Sequence, residues 1–401
     1  IMAEMRKRQK TPTESDSPPA KGAVGRSSKT WVNVALGVVL VLVLLIAAVL
    51  VTKVVAPNAF FKIQGGWILY ALTGGTMPPY FNTEVFQPEY FKDFIKDGDV
   101  IVSTGAKCGT NWMLYIVHLI RTKGDEKKPW TEINHNTPWI SFRHFPGQTW
   151  PQLRKAMETA ILPDGSRLKE KWDDPEYPFR VFKAHEVPHQ TYQGKEVGCL
   201  HIREFPKVKF IAMTRNGKDV AVSLNTFWDS HADDFKKMWG GFPVSGESLL
   251  ETVKSMSGGP LMDIYFNYVN YWWPFRNEPN VLFLHYHDLI LDLRGNVAKI
   301  AEFVGVKLTD KEMDEVAHRA SFAQMKGLHA HFAIQMFDHP EGMAVMKPEE
   351  EGGQFFKRGR SGAGKEKFDD QCHKVFDDAV DKYFGNNEEM KSFALHGKAG
   401  P

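Results

Sequence analysis

The sequence predicts an α/β fold, a parallel sheet flanked by helices, preceded by one N-terminal transmembrane helix. Three observations predict it. Four short β-rich runs, Val100 to Thr104, Phe179 to Lys183, Val208 to Thr214 and Val281 to Tyr286, alternate with helical stretches over long connections, as parallel strands joined by crossovers do. The first run passes through a Gly/Lys/Gly loop into a segment with Trp112, Met113, Ile116, Val117 and Ile120 at helical spacing. Ahead of both, Val34 to Val51 holds eighteen residues without a charged or polar side chain.

With 401 residues, 43% of them hydrophobic, the chain can bury one large core and still carry appendages. A net charge of +2 with no stripe of basic residues gives no reason to expect nucleic acid as a partner. The cysteines, Cys108, Cys199 and Cys372, are far apart and odd in number, so neither a disulfide framework nor a cysteine metal site is expected.

Taken in order, residues 1–30 mix Arg6, Lys7, Arg8, Lys10, Lys21, Arg26 and Lys29 with Pro, Ser, Thr and Gly, the composition of a disordered basic tail. Residues 31–55 form the expected membrane anchor; a cleaved signal would have a shorter apolar stretch, and a buried core helix would be amphipathic. Seven Lys/Arg precede the span, and only Lys53 and Lys62 follow closely, which holds the N-terminus in the cytosol. A type II protein of the Golgi or endoplasmic reticulum, with a lumenal domain, is the corresponding expectation. Residues 56–95 combine Gly and Pro with Phe60, Phe61, Trp67 and Tyr70, suiting a stem that lies near the membrane or packs onto the domain. The main domain is expected over 96–392, with a tail at 393–401.

The loop Gly105-Ala106-Lys107-Cys108-Gly109 opens a helix, where unpaired N–H groups and the helix dipole favour an anion and Lys107 adds a full charge. Alone it is equally a solvated turn. It does not fit G-x-x-x-x-G-K-[ST], so a metal-dependent nucleotide triphosphate site, and with it a kinase, is not indicated. Lys183 and His185 lie two apart where the second strand runs out, so both side chains project to one side, a cation beside an imidazole that can accept a hydroxyl proton. By themselves they are also a surface lysine and a structural histidine. Arg215, at the end of the third strand, offers bidentate geometry to a phosphate, with the Ser223 hydroxyl eight residues on.

Together these segments resemble one family. Lys107-Cys108-Gly109-Thr110-Asn111-Trp112 resembles the phosphosulfate loop Lys-Ser-Gly-Thr-Thr-Trp of the cytosolic-type sulfotransferases. Lys183-Ala184-His185 resembles their Lys-Thr-His-x-Pro signature, and Arg215-Asn216-Gly217-Lys218-Asp219-Val220-Ala221-Val222-Ser223 their 3′-phosphate segment. Phe356-Lys357-Arg358-Gly359-Arg360-Ser361-Gly362 looks like the C-terminal Phe-x-Arg-Lys-Gly loop, although a charged glycine run is ordinarily a solvated loop. The resemblance implies a P-loop-like nucleotide-binding fold and 3′-phosphoadenosine 5′-phosphosulfate (PAPS) as co-substrate, with no metal. It implies that Lys107 to Trp112, Arg215, Ser223, Tyr286, Phe322, Lys357, Arg358 and Gly359 hold the nucleotide. His185 would be the base, with Lys107 and Lys183 stabilising charge. Trp139, Phe142, Phe227 and Trp228 would line the acceptor pocket, and an aromatic lining favours a phenol, a sterol-like alcohol or another lipophilic hydroxyl. Sulfation of a glycan or protein in the secretory path, or an inactive membrane scaffold, are the alternatives. The chain departs from the family at Cys108, Asn111, Ala184, Ala320 and Gly364, and lacks the dimerisation motif of the cytosolic members.

Overall fold

The computed structural model describes residues 27–55, 83–145, 147–192, 195–239, 248–259, 261–337, 343–353, 356 and 359–398. The chain divides into two compact units, 1–55 and 56–401.

The second unit is built on a four-stranded parallel sheet of β1 (Val100–Ser103), β2 (Val181–Ala184), β5 (Lys209–Thr214) and β6 (Val281–His285), in the order β2-β1-β5-β6. Between β2 and β5 a small antiparallel hairpin, β3 (Gln190–Tyr192) and β4 (Lys195–Val197), was not expected from the sequence. All four β-rich runs are thus strands of one sheet. Helices cover both of its faces, so the strands are buried along nearly their whole length and mostly apolar rather than alternating. The two-residue pleat then deals successive side chains to two cores. Ile101, Phe182, Phe210 and Phe283 join the cluster that includes Trp272 and Phe376. Val100, Val102, Ile211 and Leu282 join the one holding Met113, Ile116 and Val117 of the helix Thr110–Thr122. Beneath the sheet, Arg180 donates from Nε to Asp99 (2.9 Å) and from Nη2 to both Asp99 and the Phe94 carbonyl (2.8 Å for the latter), tying β1 and β2 together.

The domain is wider than 96–392. Val85, Phe86, Phe91 and Phe94, from the turn Thr83–Phe86 and the helix Pro88–Phe94, are buried in the main core, so this part of the expected stem packs onto the domain. At the other end Phe393 and Ala394 of the helix Glu388–His396 are buried, the Phe393 ring 5.0 Å from Phe283, so the expected tail begins with core residues. The tail over 1–26 and the stem over 56–82 lie outside the described residues.

In the first unit a 29-residue helix, Ser27–Val55, contains the expected anchor. Among the described residues, no helix is long and apolar enough to cross a membrane. The expected transmembrane span is therefore not borne out among these residues, which form an exposed apolar helix.

Candidate active site

In an open parallel sheet, ligands meet the carboxyl ends of the strands where the strand order reverses, here between β1 and β5. The β1 loop crosses that crevice. Gly105 N–H donates to the Met213 carbonyl of β5 (3.0 Å), and the Tyr268 hydroxyl donates to the Ser103 carbonyl (2.7 Å). Gly109 has φ +97°, and a Cβ there would sit 2.9 Å from Tyr286 Cδ2, so only glycine lets the loop turn and keep this close approach. Thr110 opens the helix, its Oγ1 2.5 Å from that of Thr104, and Asn111 follows in the first turn. The loop's backbone thus leads into a helix N-terminus, where the sequence places the anion cradle. Cys108, where the family has serine, is buried, and burial pushes its thiol up to about 12, so it is a protonated packing group.

Lys183 is the last residue but one of β2, and its ammonium lies 3.7 Å from the centre of the Trp139 ring. Burial pushes it down to about 7, the nearby Glu132 carboxyl opposing the shift. His185 follows. Its Nδ1 is 2.7 Å from the Thr104 carbonyl, which can only accept, so Nδ1 carries the proton and Nε2 keeps the lone pair. Burial and the charges of Lys183 and Lys107 push its imidazolium down to about 3, leaving the ring neutral.

The four expected acceptor residues come together beside these groups. Trp139 stacks on Phe142 (4.7 Å) and meets His185 edge-on (5.0 Å). Phe227 packs against Trp228 (5.3 Å), and the Lys107 ammonium lies 3.6 Å from the centre of the Phe227 ring. Phe142 is almost wholly buried, so it backs Trp139 rather than facing the pocket. Phe235 and His231, also buried, extend this packing behind the wall, with His231 5.7 Å from Phe235 and 4.8 Å from Phe227.

Among the residues expected to hold the nucleotide, Trp112 donates from Nε1 to the Ala320 carbonyl (2.7 Å) and meets Tyr286 edge-on (5.4 Å), so a main-chain acceptor serves where the family has a hydroxyl. Arg215 lies over the Tyr286 ring at 4.5 Å and donates from Nη2 to Asp219 (3.2 Å) and to the Arg360 carbonyl (3.2 Å). Its Nε is buried without a partner among the described residues, an orphaned donor that suits a phosphate. Ser223 is half-buried further along the helix Gly217–Asn225. Phe322 lies against Gly359, where any Cβ would overlap its ring. Lys357 and Arg358 fall outside the described residues.

Three groups escaped sequence reasoning. Glu132, in the core behind Lys183, accepts from the His135 and Gln335 N–H groups (2.9 and 3.3 Å), and burial pushes its carboxyl up to about 8. No local signal marks it. Tyr268 lies within an aromatic stretch that gave no reason to single it out. Asp219 lies inside the segment that resembles the family's 3′-phosphate segment, three residues after Asn216, and its charge next to a helix start was the available clue.

Comparison with known proteins agrees with this geometry. The sulfotransferase domain family matches residues 97–394. Sulfotransferase 2A1 of Macaca fascicularis is 29% identical over 270 residues, covering 66% of this chain and 80% of that protein. The 3-alpha-hydroxysteroid sulfotransferase of Cavia porcellus is 31% identical over 247 residues, covering 61% and 72%. Among solved structures, mouse sulfotransferase SULT7A1 complexed with PAP superimposes with a TM-score of 0.51 at 19% identity, covering 79% of this chain and 94% of that one. Retinol dehydratase in complex with androsterone and PAP gives 0.51 at 19%, covering 73% and 82%, a likeness of fold. A glycine loop opening a helix, a neutral histidine near two lysines and a family match over residues 97–394 lead to one conclusion: the chain belongs to the sulfotransferase family and is a PAPS-dependent sulfotransferase.

Proposed function

We propose that the enzyme transfers a sulfuryl group to the hydroxyl of a lipophilic small molecule, a phenol or sterol-like alcohol. The observation that carries this is the position of His185: its Nε2 lone pair belongs to a ring that touches the aromatic wall and is flanked by two lysines. Two relatives are named for hydroxysteroids, which supports a compact apolar alcohol. PAPS, when bound, supplies the sulfuryl group. Lys107 to Trp112, Arg215, Ser223, Tyr286, Phe322 and Gly359 are the residues that would hold it, and the orphaned Arg215 Nε and the crowded glycine at 109 fit a phosphate-bearing nucleotide.

His185 Nε2 takes the acceptor proton, while its Nδ1–H stays on the Thr104 carbonyl and fixes the ring. Lys107 and Lys183 hold the negative charge on the transferring group and the leaving oxygen. An anion beside these two ammonium groups also offsets the repulsion that keeps the imidazolium low, so His185 gains basicity when the site is charged. Positioning and preorganised charge carry most of the acceleration.

Thermal unfolding with adenosine 3′,5′-bisphosphate and, separately, with Mg-ATP tests the donor. At 100-fold excess over its dissociation constant the true ligand adds about 2.7 kcal/mol. A turnover screen then sets phenols and sterols against glycans and tyrosine peptides. Turnover confined to glycans or peptides refutes the acceptor class.

We also propose that the helix Ser27–Val55 holds the enzyme on a bilayer. It is apolar on every side, with Leu36, Leu44 and Leu45 all more than half exposed, which suits lipid better than water. Flotation with phospholipid vesicles should carry the full chain upward and leave one lacking residues 1–55 at the bottom. Failure of the full chain to float overturns the proposal.

A further inference from the structure

Asp219 lies in the first turn of the helix Gly217–Asn225 and is 2% exposed. A carboxylate at that depth persists only where donors replace water. It has three, and they come from two distant parts of the chain. Oδ2 accepts from Arg215 Nη2 (3.2 Å) and from the Gly362 N–H (3.0 Å), and Oδ1 accepts from the Gly364 N–H (2.8 Å). The C-terminal loop is therefore fastened to the end of β5 through one side chain.

Gly364 shows how tight the fastening is. A Cβ there would overlap Lys218 Cβ, so the loop backbone lies directly on the start of the helix. The same loop returns the Arg360 carbonyl to Arg215 Nη2 (3.2 Å), and Ser361 Oγ lies 3.3 Å from His287 Nδ1. Arg215 is thus held by Asp219, by the Arg360 carbonyl and by the Tyr286 ring, while its Nε stays without a partner among the described residues.

We propose that Asp219 is the positioning residue of the donor's phosphate end: it orients Arg215 and docks the loop Gly359–Gly364 against it, so that recognition of the 3′-phosphate depends on a carboxylate that would not itself touch the phosphate. The proposal rests on Arg215 being the 3′-phosphate ligand. It also accounts for glycine at 364, since a larger residue would lift the two amides off Asp219.

The test compares adenosine 3′,5′-bisphosphate with adenosine 5′-monophosphate by titration calorimetry on the full chain, in the unaltered protein and in Arg215→Ala, Asp219→Asn and Asp219→Ala. The preference for the bisphosphate should fall at least tenfold in Asp219→Ala and by a smaller factor in Asp219→Asn, which keeps one acceptor oxygen, since one charge-assisted hydrogen bond is worth about a factor of ten or more. A merely structural role would weaken both ligands equally, and that result overturns the proposal. If Arg215→Ala leaves the preference unchanged, the assignment of Arg215 itself fails, and the two failures are told apart. Should the Asp219 variants not fold, amide exchange on the unaltered protein decides: protection at Gly362 and Gly364 should rise with the bisphosphate and not with the monophosphate. Equal protection by both overturns the proposal.

Discussion

Replacing His185 with asparagine isolates the chemistry from the scaffold. In the folded protein the imidazole does two jobs, donating from Nδ1 to the Thr104 carbonyl at 2.7 Å and presenting an unprotonated Nε2. An asparagine amide can keep the first, because its NH2 reaches the same carbonyl, but puts no basic atom where Nε2 stood. A positioned general base contributes about 10² to 10⁴ in rate, or about 3 to 5.5 kcal/mol of barrier. His185→Asn should therefore lower kcat by that factor with saturating donor and a lipophilic alcohol. Calorimetric affinity for adenosine 3′,5′-bisphosphate should stay within about threefold, because the nucleotide-side residues Arg215, Tyr286 and Trp112 make their contacts without His185. A variant that keeps more than a tenth of the native kcat refutes His185 as the base. A parallel loss of nucleotide affinity refutes the separation of roles.

Three other outcomes follow from the same geometry. Gly109→Ala forces a side chain into a left-handed backbone (φ +97°) and against Tyr286, so donor affinity should fall more than tenfold and the Tm should drop, with about 1–2 kcal/mol from the backbone alone; an unchanged donor Kd by calorimetry refutes the close-approach argument. Arg180→Met removes one partner of a buried ion pair and leaves Asp99 and the Phe94 carbonyl without their donor, which should cost about 3–5 kcal/mol in urea unfolding; a loss under 1 kcal/mol refutes it as the tie between β1 and β2. Lys183 is pushed down to about 7, so it is charged below that pH and loses its proton as pH rises through it. kcat/KM for the donor should therefore fall above about pH 7, and Lys183→Arg, which stays charged, should carry whatever activity it retains to higher pH; identical profiles refute the role of the Lys183 charge.

How much of this was legible in the sequence depends on whether a feature is local. Strands buried on both faces announce themselves as unbroken apolar runs, so Val100–Ser103 and Lys209–Thr214 needed only composition. Lys107, Lys183, His185 and Arg215 stand at the carboxyl ends of such runs, which made them legible as a group once the sheet was inferred. Features resting on two distant segments were not. Val85 and Phe91 look like stem residues until the main core is in place, and Phe393 looks like a tail until its ring meets Phe283. Asp219 is the instructive case. It sat in plain view between a lysine and a valine, as one more charge near a helix start, and its meaning lies in two amides 143 and 145 residues further on. Glycine at 364, a departure from the family, lets the loop backbone lie on the helix start beside the carboxylate, where a Cβ would overlap Lys218. A substitution inside a binding loop is therefore judged better by what its backbone must touch than by the side chain it has lost.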